Sequence, residues 1–220
     1  APLDINKSSA HYRVERTLDG DAVRIALSCV AGISEKEIAS IVQGQPYIDL
    51  ADFYRRSGAA TPVIENLIMT GAFDSIHTNQ RDLLLHLTDL QKSPVAHLPG
   101  SQLTFGFAPP ALESSGLQPL NAAEKVSSEV ARLGMDVTQH MLTFYAPFLN
   151  AIGAVKSSDL LSHRSDSTVL VAGVKVALQT PPVRSGRRVI FLTLDDGYGC
   201  SDSTFFPDAQ VDHASTLYST

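Results

Sequence analysis

One stretch of the sequence carries residues suited to holding an anion. Within residues 27–39, Gly32 precedes Ile33 and Ser34, and a helical pattern begins directly afterwards. A tight bend at the N-terminus of a helix directs free backbone N–H groups outward, and the helix dipole favours a negative charge there. Lys36 adds a positive charge. These four residues are predicted to bind a phosphate; the alternative is that the bend only joins two helices.

A second bend of the same kind follows the third helical pattern. Gly71 opens it, and Ala72, Phe73 and Asp74 complete it. Phe73 is expected in the core, and the carboxylate of Asp74 would repel a phosphate. Gly71 is therefore a candidate contact with a weaker argument than Gly32, and a purely structural turn is the competing interpretation.

The C-terminal part of the sequence mixes basic and aromatic residues in a pattern typical of strands. Proteins that bind single-stranded nucleic acid combine a basic groove with rings on which bases stack. The alternative is that the rings fill the interior and the arginines lie in a loop. The candidates are Lys175, Arg184, Arg187 and Arg188, with Phe191, Tyr198, Phe205 and Phe206 as the rings.

No set of residues predicts catalysis or a metal site. Asp195 and Asp196 are adjacent, so on a strand their side chains point to opposite faces, and the following glycine is typical of a hairpin turn. The seven histidines are scattered, and Cys29 and Cys200 lack the spacing of a zinc site. We therefore expect no catalytic residue, no metal and no cofactor in this chain.

Composition limits what the chain can bind. Hydrophobic residues make up 44% of its 220 residues, which is enough for ordinary cores. The net charge of −6 argues against a strong, general nucleic-acid binder, so any such contact must be local. No apolar run reaches the length of a membrane span, and the start at Ala1 has neither a signal-peptide pattern nor an initiator Met. We interpret the chain as a piece of a longer polypeptide in a reducing, cytoplasmic compartment.

The periodicity of apolar residues divides the chain into four parts. Residues 1–92 begin with a β-hairpin pattern and continue with helices at the 3.6-residue period. Residues 93–121 hold Pro, Gly and Ser with little periodicity, as a linker does. Residues 122–167 return to helix as a connector, and residues 168–220 read as three strands and a final helix or loop. The fold class is α+β.

Helix starts are marked by capping residues. Ser34 with Glu37 forms a capping-box pattern, Asp49 and Asn79 are good N-caps, and Pro62 suits the first turn of a helix.

Residues 27–39 resemble a helix-hairpin-helix DNA-binding motif in which Ser34 replaces the second glycine. The order of further blocks resembles bacterial C-family DNA polymerases, the alpha subunit of the replicative polymerase and its relatives. Those blocks are residues 49–53 (DLADF), 67–74 (LIMTGAFD), 133–137 (LGMDV), 169–173 (VLVAG) and 191–197 (FLTLDDG). Residues 179–182 (QTPP) and 185–188 (SGRR) are most similar to the error-prone branch that acts in damage-induced mutagenesis.

This resemblance implies a C-terminal portion of such a nucleotidyltransferase, without its catalytic carboxylates. Residues 1–92 would form tandem helix-hairpin-helix motifs, and residues 168–220 an incomplete oligonucleotide-binding (OB) fold with about three of its roughly five strands. The expected function is to bind and position DNA, by the duplex backbone and the single-stranded template, in replication and repair. The expected location is the cytoplasm, at the nucleoid, and no membrane is expected as a partner.

The linker contains a segment that resembles the peptide motif that docks into the sliding clamp. Gln102, Leu103, Phe105 and Phe107 supply its polar residue and its spaced apolar anchors. The alternative function of the chain is accordingly protein interaction, docking the polymerase to the clamp or to mutagenesis accessory proteins. The competing structural interpretation is that these residues attach the linker to the body.

Overall fold

The computed structural model describes residues 1–17, 20–93, 110–181 and 188–218. The chain forms two compact units, Ala1–Gln139 and His140–Thr220. The candidate linker residues Gln102, Leu103, Phe105 and Phe107 and the basic residues Arg184 and Arg187 lie outside the described ranges.

The first unit is a β-hairpin followed by helices. Strands β1 and β2 are antiparallel, with Val14 opposite Val23. A short 3-10 turn, Leu27–Cys29, leads into the first long helix. The elements are β1 (Arg13–Thr17), β2 (Gly20–Arg24), α1 (Glu35–Gly44), α2 (Leu50–Ser57), α3 (Thr61–Met69), α4 (Gln80–Lys92) and α5 (Ala122–Leu133).

The helices begin where the capping residues predict. The Ser34 side chain accepts a hydrogen bond from the Glu37 backbone, and the Glu37 carboxylate accepts one from the Ser34 backbone. The side chains of Asp49 and Asn79 cap α2 and α4 by accepting from the N–H groups of Asp52 and Arg81, and Pro62 lies in the first turn of α3. These predicted caps are confirmed, because a side-chain acceptor two or three residues before a free N–H is a local relationship that sequence spacing specifies.

The core of the first unit lies between the N-terminal segment and helices α1 to α4. Phe53 is fully buried and meets two rings edge-to-face, Tyr47 at 4.8 Å and Phe73 at 5.1 Å between ring centres. Edge-to-face pairs add to the stabilisation from apolar burial. The fully buried aliphatic residues around them are Ile5, Leu27, Ile41, Leu50, Ile64, Leu67, Ile68, Leu83, Leu87 and Leu90.

Helix α5 belongs to the first unit. Val126 and Leu133 on its apolar face are buried, and Ser128 Oγ donates a hydrogen bond of 2.8 Å to the carbonyl of Met69 in α3. The periodicity of the sequence assigned this helix to a connector of residues 122–167, and that division stays a prediction. In the structure the helix packs on α3, at the end that precedes Gly71.

The second unit carries an antiparallel sheet in the order β3-β4-β5, formed by Val174–Gln179, Ile190–Asp195 and Cys200–Phe205. Its remaining elements are α6 (Ala146–Ala151), α7 (Pro207–Tyr218) and two 3-10 segments, Met141–Tyr145 and Ser157–Ser162. Within the described ranges the sheet has three strands and does not close into a barrel. The α+β class is confirmed.

The start of the first strand in the second unit differs from the prediction. The strand pattern was expected from residue 168, which would include Val169 and Val171, but the first strand of the sheet begins at Val174. Gly173, directly before that strand, lies so close to Leu194 that an added Cβ would come within 2.6 Å of the Leu194 Cβ. Close approach of the chain to its neighbour, rather than a bend inside a strand, explains a glycine at this position.

Candidate nucleic-acid interface

The first hairpin, residues 30–34, displays its glycine to solvent. Gly32 has φ of +77°, a conformation that glycine adopts without the steric cost of a Cβ. An added Cβ there would have no atom within 4 Å. Ser34 and Lys36 are exposed and Ile33 is half-buried. All four predicted residues thus lie on one bend, and their contact with a phosphate stays a prediction.

Three long-range hydrogen bonds hold the first hairpin in place. The Ala31 N–H donates to the carbonyl of Arg132 at 2.8 Å, and Asn66 Nδ2 donates to the carbonyl of Ala31 at 2.9 Å. The Ala60 N–H donates to Glu37 Oε1 at 2.9 Å, which ties the loop before α3 to the first turn of α1. The hairpin is therefore braced by α3 and α5, and its open side is the side of Gly32.

Some backbone N–H groups at the first hairpin have a protein acceptor and others do not. The Ser34 N–H donates to Glu37 Oε2 at 2.9 Å, so it is not available to a ligand. In the described chain the N–H groups of Gly32, Glu35 and Lys36 have no protein acceptor. Donors of this kind at a helix N-terminus can be satisfied by an anion.

The carboxylate of Glu37 is a negative group that hydrogen bonds fix at this bend. Hydrogen bonds from the Ala60 backbone, and then from the Ser34 side chain and backbone, lower the pKa of Glu37 below its usual value. Glu37 is therefore ionised at neutral pH, and it consumes part of the positive potential of the helix N-terminus. A phosphate at this bend has to bind on the Gly32 side.

At the second hairpin, the Asp74 carboxylate lies next to Gly71 and is itself held by Gln80 and Lys125. Asp74 Oδ1 accepts a hydrogen bond of 2.7 Å from Gln80, and Asp74 Oδ2 lies 3.7 Å from Lys125 Nζ. The Asp74 carboxylate would lie 3.0 Å from a Cβ added at Gly71. Phe73 is fully buried, as predicted. Gly71 is half-buried, and its predicted contact with DNA is not tested by this geometry.

Burial is the main influence on Asp74. It raises the pKa of the Asp74 carboxyl above its usual value, and the charge of Lys125 only partly opposes that. The Asp74 side chain is still 41% exposed, so this desolvation is partial, and the neutral form is easier to reach than at a fully solvated aspartate.

Two of the predicted basic residues of the second unit lie far apart. Lys175 on β3 pairs with Leu194, near the end of β4, whereas Arg188 precedes the start of β4. With a rise of about 3.3 Å per residue, the register separates their backbones by roughly 20 Å. Both side chains are exposed, and Lys175 Nζ lies 3.5 Å from the carbonyl of Leu217. The sheet does not bring Lys175 and Arg188 into one cluster.

Three of the four candidate aromatic rings of the second unit are exposed to solvent. Phe191, Tyr198 and Phe206 are 40%, 62% and 62% exposed, and Phe205 is half-buried. Lys156, which the sequence argument did not select, lies with its Nζ 4.0 Å from the centre of the Tyr198 ring. A cation over an exposed ring is a local arrangement that single-strand binders also use.

The segment after the undescribed linker residues is fastened to α4. Ser115 donates from its backbone and its hydroxyl to Asp82 Oδ1, and Asn79 Nδ2 donates to the carbonyl of Leu117 at 3.0 Å. The hydrogen bonds from Ser115 lower the pKa of Asp82 below its usual value. Residues 110–117 therefore form a strap across the start of α4.

Some groups were not found by the sequence argument. Arg132 and Asn66 contact the first hairpin, and Lys125 contacts the second, but none of them lies in a motif. The only local signal is that Arg132 falls in the last turn of a helix, where basic residues are common. Among the described residues no group of three or more His, Cys, Asp or Glu side chains is arranged to hold a metal ion. No helix in the described ranges is both long enough and apolar enough to span a membrane.

Comparisons with known proteins agree with this architecture. Residues 1–83 match the family model described as a helix-hairpin-helix motif. The error-prone DNA polymerase of Symbiobacterium thermophilum is 32% identical, over 94% of this chain and 23% of the relative. The error-prone DNA polymerase of Bdellovibrio bacteriovorus is 29% identical, over 99% of this chain and 22% of the relative.

A replicative relative matches as well. The DNA polymerase III subunit alpha of Vibrio cholerae is 26% identical, over 98% of this chain and 20% of the relative. The chain spans about a fifth of the length of the curated relatives it matches. The homology covers both units and includes the helix-hairpin-helix region, and the chain therefore belongs to the bacterial C-family of DNA polymerases, the family of the error-prone polymerases and the alpha subunits of DNA polymerase III.

Proposed function

We propose that this chain is a DNA-positioning segment of an error-prone DNA polymerase, one that grips the phosphate backbone of duplex DNA and supplies no catalytic group. The observation that carries the proposal is the first hairpin, where Gly32 faces open space and neighbouring N–H groups lack protein acceptors. Contacts to phosphate fix the register of a duplex without reading its sequence. A polymerase that copies any template requires that kind of contact.

The net charge of −6 constrains how strong this grip is. A segment with an acidic balance cannot rely on a broad positive surface, so the contact is confined to a few donors. Positioning by a small site suits a segment that acts within a longer polymerase, where the other domains supply most of the affinity. The higher identity to polymerases named error-prone than to the alpha subunit supports assignment to the mutagenic branch that acts in replication and repair of damaged DNA.

A salt titration of DNA binding tests this proposal. The full chain is mixed with a fluorescent duplex, and anisotropy is followed at increasing salt. Each phosphate contact contributes a slope of about −0.9 in log affinity against log salt. Lys36→Gln is expected to reduce that slope by about 1, and Lys92→Gln, an exposed lysine at the end of α4, serves as the matched control. Absence of binding at low salt would defeat the proposal.

Single-stranded template is a second nucleic-acid ligand supported by the second unit. The exposed rings of Tyr198 and Phe206 and the cation of Lys156 fit base stacking beside a backbone phosphate. The open sheet of three strands would then be part of an OB-fold. Tyr198→Ala should weaken binding of an oligothymidine strand, by about 1–3 kcal/mol for a stacked base, while Tyr145→Ala, a similarly exposed tyrosine in a 3-10 segment, should not.

Docking to a sliding clamp or to accessory proteins is the alternative function. The strap supports it, because Ser93 closes α4 and Ser115 is fixed on the same helix, so the intervening chain starts and ends on the first unit. The candidate anchors Gln102, Leu103, Phe105 and Phe107 lie between those points. Unchanged clamp binding after Gln102→Ala and Phe107→Ala would exclude this version.

A further inference from the structure

Arg132 lies at the point where the two hairpins approach the same helix. Its carbonyl accepts the Ala31 N–H at 2.8 Å, so the last turn of α5 abuts the first hairpin. Ser128, one turn earlier, donates to the carbonyl of Met69 at 2.8 Å, and Met69 ends the helix that leads into Gly71. The last two turns of α5 therefore join the backbones of both hairpin regions.

The Arg132 side chain runs back toward the second of these contacts. Its Nη1 donates to Ser128 Oγ at 3.0 Å. Ser128 Oγ is thus a relay between the guanidinium and the end of α3. This relay fixes the direction of the guanidinium, and it consumes one of its five N–H donors.

The charge of Arg132 has no carboxylate partner within the described residues. Its Nε is buried and has no hydrogen-bond partner there. By contrast, Arg24 binds Glu15 and the carbonyl of Pro2, and Arg56 binds Asp52 twice. The buried Nε cannot meet an outside ligand. What the guanidinium can offer to an acceptor that the chain does not supply is its unneutralised charge and the Nη N–H groups that Ser128 does not occupy.

We propose that Arg132 is a phosphate ligand that joins the two hairpins into one DNA-binding track. A guanidinium presents parallel N–H donors that match two oxygens of a phosphodiester. The first hairpin supplies backbone donors and the charge of Lys36, and Arg132 adds a second positive charge, on a group with paired N–H donors, where α5 meets the hairpin. This inference rests on the proposed function, and it assigns α5 a direct role in binding DNA.

The test compares the full chain with Arg132→Gln, Arg132→Lys and Ser128→Ala in the same salt titration. Arg132→Gln is expected to weaken duplex binding by about tenfold and to lower the salt slope by about 1. Arg164→Gln, an exposed arginine of the second unit, is the control with the same loss of charge. Ser128→Ala keeps the charge but frees the guanidinium, so it should lower affinity while the slope is retained.

The outcomes separate the two proposals. If the wild-type chain fails to bind at low salt, the proposed function falls and this inference with it. If the wild type binds and Arg132→Gln has the same affinity and slope, only the inference falls. Arg132→Lys covers the case in which Arg132→Gln does not fold, since lysine keeps the charge but not the paired donors. It should bind several times more weakly at an unchanged slope, and affinity equal to wild type would overturn the assignment.

Discussion

Asn66 of α3 holds the first hairpin by donating a hydrogen bond of 2.9 Å to the carbonyl of Ala31. The N–H of Ala31 donates to the carbonyl of Arg132, so both backbone polar groups of Ala31 are bonded to other helices. Gly32 therefore directly follows a residue whose backbone is held by hydrogen bonds. On its other side, Ser34 is held by its role as the N-cap of α1. If the bend binds a phosphate as proposed, it would lose little conformational freedom on binding, which favours affinity.

The positive φ of Gly32 leads to a prediction about binding. Gly32→Ala should destabilise the first unit by about 1 kcal/mol, because an L-residue is strained in the left-handed region. It should also weaken duplex binding by roughly tenfold, since the added methyl occupies the open side of the bend. Thermal unfolding and fluorescence anisotropy measure the two effects.

Gly116→Ala is the matched control for that change. Gly116 has φ of +74° and, like Gly32, no atom within 4 Å of an added Cβ. It should therefore lose similar stability and keep its DNA affinity. Equal affinities of the two variants would show that the bend at Gly32 does not meet the duplex.

The network around Glu37 predicts an acid dependence of stability. The pKa of Glu37 is lower in the folded chain than in the unfolded chain, so its contribution is complete above the ordinary glutamate pKa of about 4.3. That contribution is lost as the pH falls through the lowered folded pKa. Glu37→Gln should lower the midpoint of thermal unfolding at pH 7, and the difference from wild type should shrink toward pH 3.

Glu35→Gln is the control for Glu37, because it removes the same charge from the same helical turn. Glu35 is exposed, and its side chain makes no hydrogen bond within the described chain. Its midpoint should stay close to that of wild type at both pH values. A similar loss in both variants would assign the effect to the helix dipole rather than to the bonds with Ser34 and Ala60.

Asp74 should show the opposite dependence on pH. Burial raises its folded pKa, so ionisation costs stability once the pH rises above the unfolded value of about 3.9. Asp74→Asn keeps an oxygen that accepts the Gln80 hydrogen bond and removes that cost. Urea unfolding should find the variant more stable than wild type at pH 7, with a smaller difference at pH 4.

The control for Asp74 is Asp89→Asn, at an exposed aspartate of α4. It changes the net charge equally and should leave the free energy of unfolding within about 0.5 kcal/mol of wild type. If Asp74→Asn were less stable than Asp89→Asn at pH 7, the Lys125 pair would outweigh burial.

The aromatic centre of the first unit predicts a large effect on stability. Phe53→Ala removes a fully buried ring and its contacts with Tyr47 and Phe73, and the expected cost is about 3–5 kcal/mol in urea unfolding. Ile48→Ala, at a side chain that is 82% exposed, should cost about 0.5 kcal/mol or less. Comparable losses would contradict the placement of the core.

The sequence predicted local features well and long-range ones poorly. The caps at Ser34, Asp49 and Asn79 follow from fixed spacing between a side chain and a backbone N–H three or fewer residues away. The contact of Ala31 with Arg132 has no such spacing, because it depends on how α5 packs against α3. For that reason the sequence alone predicted the bend at residues 30–34, but it did not predict that α5 would hold this bend.

The β-hairpin shows a second limit. Alternation of Val14 and Val23 with polar neighbours predicted strands with one buried face, and β1 and β2 do form. Both valines are more than half exposed, however. Alternation reports which side chains share a face of a strand, but a two-stranded ribbon has no second layer to cover that face unless another element packs there.

The strap formed by residues 110–117 has a consequence for how this segment can vary between relatives. Because Ser115 is bonded to Asp82 and Leu117 to Asn79, the chain between Ser93 and Pro110 is bounded by two fixed points on the same helical unit. Each doubling of the length of a connection between two fixed points costs only about 0.6 kcal/mol of closure entropy. A change in the number of residues between Ser93 and Pro110 should therefore leave both hairpins in place, so relatives can differ in chain length at this point at little cost in stability.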